Sequence, residues 1–188
     1  MKIGIVGYPS VGGSGFVASS VALELSKRNH EVHFFSFDCP YLLRDSESDN
    51  LRVHVVNCDQ YPLFKYPDYT THLANKLIEV STEDGLDIVN VHYAIPHAVS
   101  AYLAKQITSV PYVVTLHGTE VHTLGDKKEF KPVLEKVIAD ADAVTAVCDF
   151  LAKEASRIWN VDGIRTIKNF IDYQNLSEVE GEAKVDLS

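Results

Sequence analysis

Short apolar segments alternate with longer amphipathic segments along this 188-residue chain, and that alternation restricts the fold more than any other feature of the sequence. Most of the apolar segments are runs of Val and Ile, as expected of strands covered on both faces. We predict strands at residues 2–7, 31–37, 51–56, 87–92, 112–116, 143–147 and 164–167. We predict helices at residues 14–28, 69–84, 96–108, 127–140 and 149–159. Strands alternating with helices indicate right-handed βαβ units, and hence a doubly wound, mostly parallel α/β sheet.

Length and composition fit one such domain, residues 1–172, followed by an acidic linker or tail at 173–188. The formal net charge of −9 disfavours nucleic-acid and anionic-membrane partners. No apolar run approaches the roughly 20 residues that a membrane span needs. Cys39, Cys58 and Cys148 form no CxxC pair, so we expect buried thiols in a reducing compartment. These features together predict a cytoplasmic protein.

Ligands of doubly wound sheets bind at the carboxyl ends of the strands, which directs attention to the loop after the first strand. Residues 7–15 (GYPSVGGSG) contain four glycines and precede a helix, whose free N–H groups would suit an anion such as phosphate. A P-loop is rejected, because Gly13 stands where the phosphate-binding lysine is required. A dinucleotide fingerprint remains an alternative: residues 13–18 fit G-x-G-x-x-A, and Asp38 follows near the end of the second strand.

Two histidine-bearing loops follow the fourth and fifth strands. We interpret His92 and His97 as core residues, and His117 as a site residue because Gly118 leaves the backbone beside it open. Both histidine pairs, 92/97 and 117/122, have five-residue separations that do not share a helix face, and no cysteine completes a ligand set. We therefore expect no metal site.

Several segments taken together resemble the amino-terminal half of family-4 retaining glycosyltransferases. The segments are 9–15 (PSVGGSG), 60–67 (QYPLFKYP), 92–97 (HYAIPH), 115–119 (TLHGT), 143–147 (AVTAV) and 169–172 (NFID). The resemblance implies the GT-B architecture, in which two Rossmann-like domains face each other across a cleft. The amino-terminal domain mostly holds the acceptor, and the carboxyl-terminal domain holds the nucleotide-sugar.

The resemblance also implies a reaction: transfer of N-acetylglucosamine from UDP-N-acetylglucosamine to the hydroxyl of L-malate, a step of bacillithiol biosynthesis, with retention and without a metal or other cofactor. His117 would be the catalytic residue and would bind the donor sugar, and the donor phosphate would meet Gly12, Gly13 and Ser14. The acceptor would be bound by Ser14, Lys65, Tyr93, Thr115 and Thr119. No side chain is assigned as nucleophile, because the leaving phosphate is thought to take the acceptor proton in front-side attack.

The sequence departs from the family pattern at several points. We expect the nucleotide-sugar domain of the family to be absent from residues 1–188, and hence no turnover unless a separate chain supplies that domain. The uncovered interdomain face should favour self-association. Glu120 stands where the family usually has aspartate, and Cys148 and Asp149 replace a serine-led helix start. The alternative function is that of a small-anion or NAD-binding module without transferase activity.

Overall fold

The computed structural model describes residues 1–58, 62–63 and 65–170, and within them the predicted sheet is present. Seven strands form one sheet in the order β3-β2-β1-β4-β5-β6-β7, and every neighbouring pair is parallel. The strands are β1 (Lys2–Val6), β2 (Glu31–Ser36), β3 (Leu51–Val55), β4 (Ile88–His92), β5 (Tyr112–Leu116), β6 (Ala143–Ala146) and β7 (Arg165–Thr166). The helices are α1 (Gly13–Lys27), α2 (Tyr69–Glu83), α3 (Val99–Thr108), α4 (Lys131–Ala139) and α5 (Asp149–Trp159).

The strand order reverses between β1 and β4, which makes this the switch point of the sheet. Successive strands run outward from β1 to β3 on one side and from β4 to β7 on the other. The loops that leave β1 and β4 therefore diverge and open a crevice at the carboxyl edge of the sheet. The segments that the sequence predicted to carry chemistry follow β1, β4 and β5.

The predicted helix at 96–108 differs from the observed one. The regular helix α3 starts at Val99, and a π-type turn, Ala94–Ala98, precedes it. Ile95 within that turn is extended (φ −122°, ψ 128°), because a following proline disfavours the helical conformation. A second π-type turn, Glu120–Leu124, and a short 3₁₀ turn, Tyr41–Leu43, were not predicted.

Two apolar layers cover the sheet. Helices α2 to α5 pack on one face, where Phe35, Val91 and Leu116 belong to the larger buried cluster. Helix α1 packs on the other face, where Ile5 and Phe34 belong to a smaller one. Adjacent residues Phe34 and Phe35 enter opposite clusters because successive strand side chains alternate between faces.

The α1 face is less completely filled towards β5 and β6. There a cavity of about 230 Å³ lies between α1, side chains of β4 to β6, and residues 167–170. Its polar lining includes Asn90, Thr115 and Thr145, which stand on three neighbouring strands. This cavity was not predicted from the sequence.

The three cysteines are free, as predicted, but they are not all buried. Cys39 and Cys58 are partly exposed and Cys148 is exposed at the start of α5, so the expectation of three buried thiols is wrong. Within the described residues, no helix is both long and apolar enough to cross a membrane. Residues 171–188 lie outside the described part of the chain, so the predicted domain boundary at 172 and the acidic tail remain predictions.

Candidate functional site at the carboxyl edge of the sheet

The amino terminus of α1 presents backbone N–H groups without side-chain caps. Gly12 is the N-cap residue, no side chain caps this end, and the first turn contains no acidic residue. Gly13 adopts φ 63°, a left-handed conformation that glycine accepts without strain. Gly12 and Gly13 are exposed. The first amides of a helix are unpaired within the helix and carry partial positive charge, so this end is suited to an anion.

Gly15 allows the loop before α1 to close tightly. A Cβ atom at this position would lie 2.5 Å from the carbonyl oxygen of Tyr8 and would also meet the Ser10 side chain. The Ser10 hydroxyl donates to the carbonyl oxygen of Gly12 at 2.8 Å. Close packing inside the loop thus fixes the direction in which the α1 amides point.

The segment after β4 packs against this loop through aromatic rings. The ring centroids of Tyr8 and Tyr93 are 5.5 Å apart, and those of Tyr8 and His97 are 4.6 Å apart. Tyr93 has φ 96°, which is uncommon for a residue with a Cβ atom and is concentrated at functional sites. Burial raises the pKa of Tyr93, against a smaller lowering by the Thr119 side chain. Tyr93 and Thr119 therefore lie beside each other, each with a hydroxyl.

Glu120 holds the segment after β5 from within the fold. Its carboxylate is fully buried and accepts hydrogen bonds from the backbone N–H groups of His117 at 2.7 Å and Gly118 at 3.0 Å. Burial raises the pKa of this carboxyl group, and the hydrogen bonds from the backbone lower it in part. Gly118 adopts φ 131°, a conformation that L side chains rarely reach. Two amides that point back into the carboxylate fix the start of this loop.

The imidazoles of His92 and His117 form a hydrogen-bonded pair. The distance from His92 Nδ1 to His117 Nε2 is 3.0 Å, and the rings are stacked with centroids 5.2 Å apart. Burial lowers the pKa of His92 to about 3 and that of His117 to about 4. Both rings are therefore neutral near pH 7, so His117 can act as a hydrogen-bonding group but not as a cation.

The interpretation of His92 and His97 as buried core residues is confirmed. Neither side chain is more than 1% exposed, and His97 Nδ1 lies 2.7 Å from the carbonyl oxygen of His92, to which it donates. The sequence did not indicate that His92 would contact His117. Among the described residues, no three His, Cys, Asp or Glu side chains are grouped as metal ligands would be.

Most of the predicted site residues follow three adjacent strands. Neighbouring strands are about 4.8 Å apart, so the residues after β1 and those after β5 are separated by two spacings, about 10 Å. This edge contains Gly12, Gly13 and Ser14 after β1, Tyr93 after β4, and His117 and Thr119 after β5.

Two of the residues predicted to bind the acceptor substrate, Thr115 and Lys65, have surroundings that differ from those of the other site residues. Thr115 is within β5, and its hydroxyl donates to Asn90 Oδ1 at 2.9 Å on the cavity side of the sheet. Lys65 is exposed, with its ammonium group 5.3 Å from the ring centroid of Tyr66. Asp59, Gln60, Tyr61 and Phe64, which share its aromatic segment, lie outside the described residues. Among the residues that the structure describes, no hydrogen bond or ion pair joins Lys65 to the other predicted site residues.

The sequence analysis did not assign roles to Tyr8 or Asn90. Tyr8 stands between Gly7 and Pro9, and its ring packs against Tyr93 and so joins the loops after β1 and β4. Asp38, the acidic residue of the dinucleotide alternative, is exposed after β2, where its Oδ1 accepts a hydrogen bond from the Cys39 N–H at 2.7 Å.

Sequence comparison connects this geometry with a family. The model of Glycosyltransferase Family 4 matches residues 11–175. The chain is 42% identical over 175 residues to N-acetyl-alpha-D-glucosaminyl L-malate synthase of Bacillus anthracis, covering 92% of this chain and 46% of that protein. It is 22% identical over 148 residues to an uncharacterized glycosyltransferase of Methanocaldococcus jannaschii, covering 78% and 40% of the two chains. The chain thus spans about half the length of these relatives or less.

Solved structures agree on the fold. A glycosyltransferase from Rickettsia africae superimposes with a TM-score of 0.71 at 20% identity, covering 97% of this chain and 46% of that one. The Anabaena protein HepE, in complex with UDP-glucose, gives a TM-score of 0.65 at 16% identity, covering 93% and 45%. Identities this low carry the fold alone. The predicted Rossmann-like fold of the amino-terminal domain of a GT-B glycosyltransferase is confirmed, and the chain belongs to glycosyltransferase family 4.

Proposed function

We propose that this chain is the acceptor-binding half of a retaining glycosyltransferase that transfers N-acetylglucosamine from UDP-N-acetylglucosamine to L-malate. The observation that carries the proposal is that the uncapped amino terminus of α1, the hydroxyls of Tyr93 and Thr119 and the neutral imidazole of His117 lie at the same edge of the sheet. The relative from Bacillus anthracis supports this choice of donor sugar and acceptor.

On the donor side, the amides of Gly13 and Ser14 would meet the diphosphate. Negative charge on the diphosphate grows as the sugar leaves, and preorganised N–H groups stabilise that growing charge without having to reorient. His117, being neutral, would donate to an oxygen of the sugar rather than form an ion pair. These donors stabilise the departing group and need no metal ion from this half.

On the acceptor side, malate offers two carboxylates and one hydroxyl. The side chains of Ser14, Tyr93 and Thr119 supply neutral hydroxyl donors of matching chemistry. Lys65 and Thr115 complete the proposed acceptor set, Lys65 as the one cation in it. The reacting malate hydroxyl would lie between these groups and the sugar.

The proposed transfer breaks one bond at the anomeric carbon and forms another. The bond between the anomeric carbon and the UDP oxygen breaks, and a bond from that carbon to the malate hydroxyl oxygen forms on the same face. The hydroxyl proton passes to the departing diphosphate oxygen, so no protein side chain is consumed. The products are UDP and the N-acetylglucosaminyl O-glycoside of malate.

A transfer assay tests the whole proposal. The chain alone, incubated with both substrates, is expected to give no product. The chain joined to the remaining half of the Bacillus anthracis relative is expected to form the α-linked product, identified by NMR of the anomeric proton. Ser14→Ala should raise KM for malate, whereas Ser20→Ala, on the same helix with its hydroxyl bonded to the Phe16 carbonyl, should not.

Amide NMR of the isolated chain distinguishes the proposal from its alternative. L-Malate is expected to shift the amide resonances of Gly13, Ser14 and Thr119, and succinate, which lacks the hydroxyl, is expected to shift them less. NAD shifting the same loop together with Asp38, with no response to malate, would identify a dinucleotide module instead. A folded, joined protein that forms no product would also contradict the proposal.

A further inference from the structure

A row of polar side chains crosses the sheet on the cavity side and reaches His117. Thr145 on β6 donates to Thr115 Oγ1 at 3.1 Å, and Thr115 donates to Asn90 Oδ1 at 2.9 Å. Asn90 Nδ2 lies 3.5 Å from His92 Nε2, and His92 Nδ1 lies 3.0 Å from His117 Nε2. Five side chains from three strands and the following loop thus form one continuous chain of contacts.

The donors and acceptors in this row point in one direction. Because the Asn90 amide accepts through oxygen from Thr115, its nitrogen faces His92 Nε2 and donates to it. A nitrogen that accepts carries no proton in a neutral imidazole, so the proton of His92 is on Nδ1. His92 Nδ1 then donates to His117 Nε2, which leaves the proton of His117 on Nδ1.

The geometry points to Asn90 as a positioning residue that sets, through His92, which ring nitrogen of His117 carries the proton. His117 Nδ1–H is then the free donor: it has no hydrogen-bond partner among the described residues, and the ring is partly exposed at the carboxyl edge of the sheet. Asn90 itself touches no reacting atom and acts only through its neighbours.

The reverse direction would require the Asn90 amide to turn over. His92 Nε2–H would then donate to the amide oxygen, and His117 Nε2–H would donate to His92. In that arrangement either the Thr145 proton would have only the Val114 carbonyl oxygen, at 3.5 Å, as acceptor, or the Thr115 proton would have no acceptor in the row. The observed direction instead gives Thr145 an acceptor at 3.1 Å, and so makes better use of the hydroxyl protons.

The inference gives the proposed function a chemical detail and, in that respect, rests on it. A neutral imidazole with a fixed Nδ1–H presents a donor to a sugar or phosphate oxygen, whereas the other tautomer would present a bare acceptor and repel the same oxygen. The orientation of the Asn90 amide would thereby decide whether His117 helps or hinders the binding of that oxygen.

NMR of the side-chain nitrogens tests the inference without any assay of activity. Long-range ¹H–¹⁵N correlation on the chain near pH 7.5 reports which nitrogen of each histidine is protonated. We expect His92 and His117 both to be protonated at Nδ1. Protonation at Nε2 of His117 in the unaltered chain would overturn the inference, whatever the outcome of the transfer assay.

Asn90→Asp sharpens the test, because aspartate can only accept. His92 must then turn its proton to Nε2, and we expect both histidines to change to the Nε2–H form. Asn75→Asp is the matched control, since Asn75 is exposed on α2 and the charge change is the same. Unchanged tautomers in a folded Asn90→Asp variant would contradict the inference.

Asn90→Leu provides the readout if the aspartate variant does not fold. This substitution removes both the oxygen and the nitrogen of the side-chain amide, and we expect His117 to show a mixture of the two tautomers. In the joined transferase, Asn90→Asp should lower kcat about tenfold or more with little change in KM for malate, while Asn75→Asp should leave both unchanged. A single Nδ1–H tautomer retained in Asn90→Leu would show that Asn90 does not position His117.

Discussion

The molecule contains two stacked histidine pairs with nearly the same geometry and different surroundings. In the edge pair, His33 Nδ1 on β2 lies 2.9 Å from His54 Nε2 on β3, and in the cleft pair, His92 Nδ1 lies 3.0 Å from His117 Nε2. The ring centroids are 5.2 Å apart in both pairs. The ring planes are inclined by 5° in the edge pair and by 30° in the cleft pair, and the charged groups around the two pairs differ more.

Charged groups surround the edge pair. His33 Nε2 lies 3.4 Å from Glu31, and its Nδ1 lies 3.8 Å from Asp84 on the turn after α2. Arg52 reaches both carboxylates, at 3.6 Å and 3.5 Å. Burial lowers the pKa of His33, and the two carboxylates raise it in part.

Within the described part of the chain, no carboxylate forms an ion pair with the cleft pair. Burial alone lowers the pKa of His117, and burial is the largest cause for His92. The comparison teaches that adjoining carboxylates offset part of the lowering of a histidine pKa by burial, as at His33, whereas no such group offsets burial at His92 and His117. The cleft pair is thus arranged to present a hydrogen-bond donor of constant charge.

The largest expected effect comes from removing one member of each pair in turn. In the joined transferase, His117→Ala should lower kcat by about 10²–10³-fold, the loss typical of one preorganised donor to developing charge. His54→Ala, its counterpart in the edge pair, should leave kcat within about twofold. Equal losses in both variants would show that the pairs share a structural role and would remove the distinction.

The second effect concerns acid stability. The pKa of His92 is about 3 in the folded state against 6.5 in the unfolded chain, so between those values the unfolded state binds more protons. Acidification therefore destabilises the protein below about pH 6.5, and the loss attributable to His92 is about 2 kcal/mol at pH 5. His92→Gln should reduce the fall in unfolding free energy between pH 7.5 and pH 5 by about that amount.

Urea unfolding at both pH values measures this, with the fluorescence of Trp159 as the signal, since Trp159 is the single tryptophan and is buried. His33→Gln is the control, and it should reduce the fall by less, because Glu31 and Asp84 help folded His33 to accept a proton. A larger reduction for His33→Gln than for His92→Gln would reverse the comparison.

A third, smaller effect is the order of titration. As the pH falls, His33 should accept a proton first, His54 should follow with a pKa of about 4, and His92 should be last. The ring-proton resonances of the ¹³C-labelled chain report each step separately. Titration of His92 above His33 would contradict the role of the carboxylates.

The smallest effect is expected from Arg52, whose guanidinium group lies beside the edge pair. Arg52 is half-exposed, and its charge is the smallest of the causes that act on the pKa of His33, so Arg52→Gln should raise that pKa only slightly. Arg157→Gln, which removes an exposed arginine paired with Glu154 on α5, should leave His33 unchanged. The same NMR titration measures both variants.

The sequence predicted the fold well because buried parallel strands have a strong local signature. The runs of Val and Ile placed all seven strands within two residues of their observed bounds, and strand–helix alternation then left few topologies. The irregular turns after β4 and β5 were missed, since their shape depends on Pro96 in the first and on the buried Glu120 carboxylate in the second.

The sequence predicted the loop residues of the site but not the row of polar side chains within the sheet. Glycines, hydroxyl residues and a histidine at strand ends are visible as motifs, whereas the row from Thr145 to His117 depends on strand register. Asn90, Thr115 and Thr145 come from three separated segments, and each alone is merely a polar residue in an apolar strand. All three are polar residues within otherwise apolar strands, and this pattern could have indicated a shared role. It could be interpreted only once the order and register of the strands were known.

The Glu120 carboxylate has a consequence for how this loop can diversify. The Glu120 carboxylate binds the backbone N–H groups of His117 and Gly118 from inside the protein. The backbone of this loop therefore does not depend on the side chain of residue 119. Residue 119 is exposed and can change size or polarity at little cost to folding. Substitutions at position 119, whether natural or from a designed library, could therefore change which small molecule is bound while the imidazole of His117 stays in place.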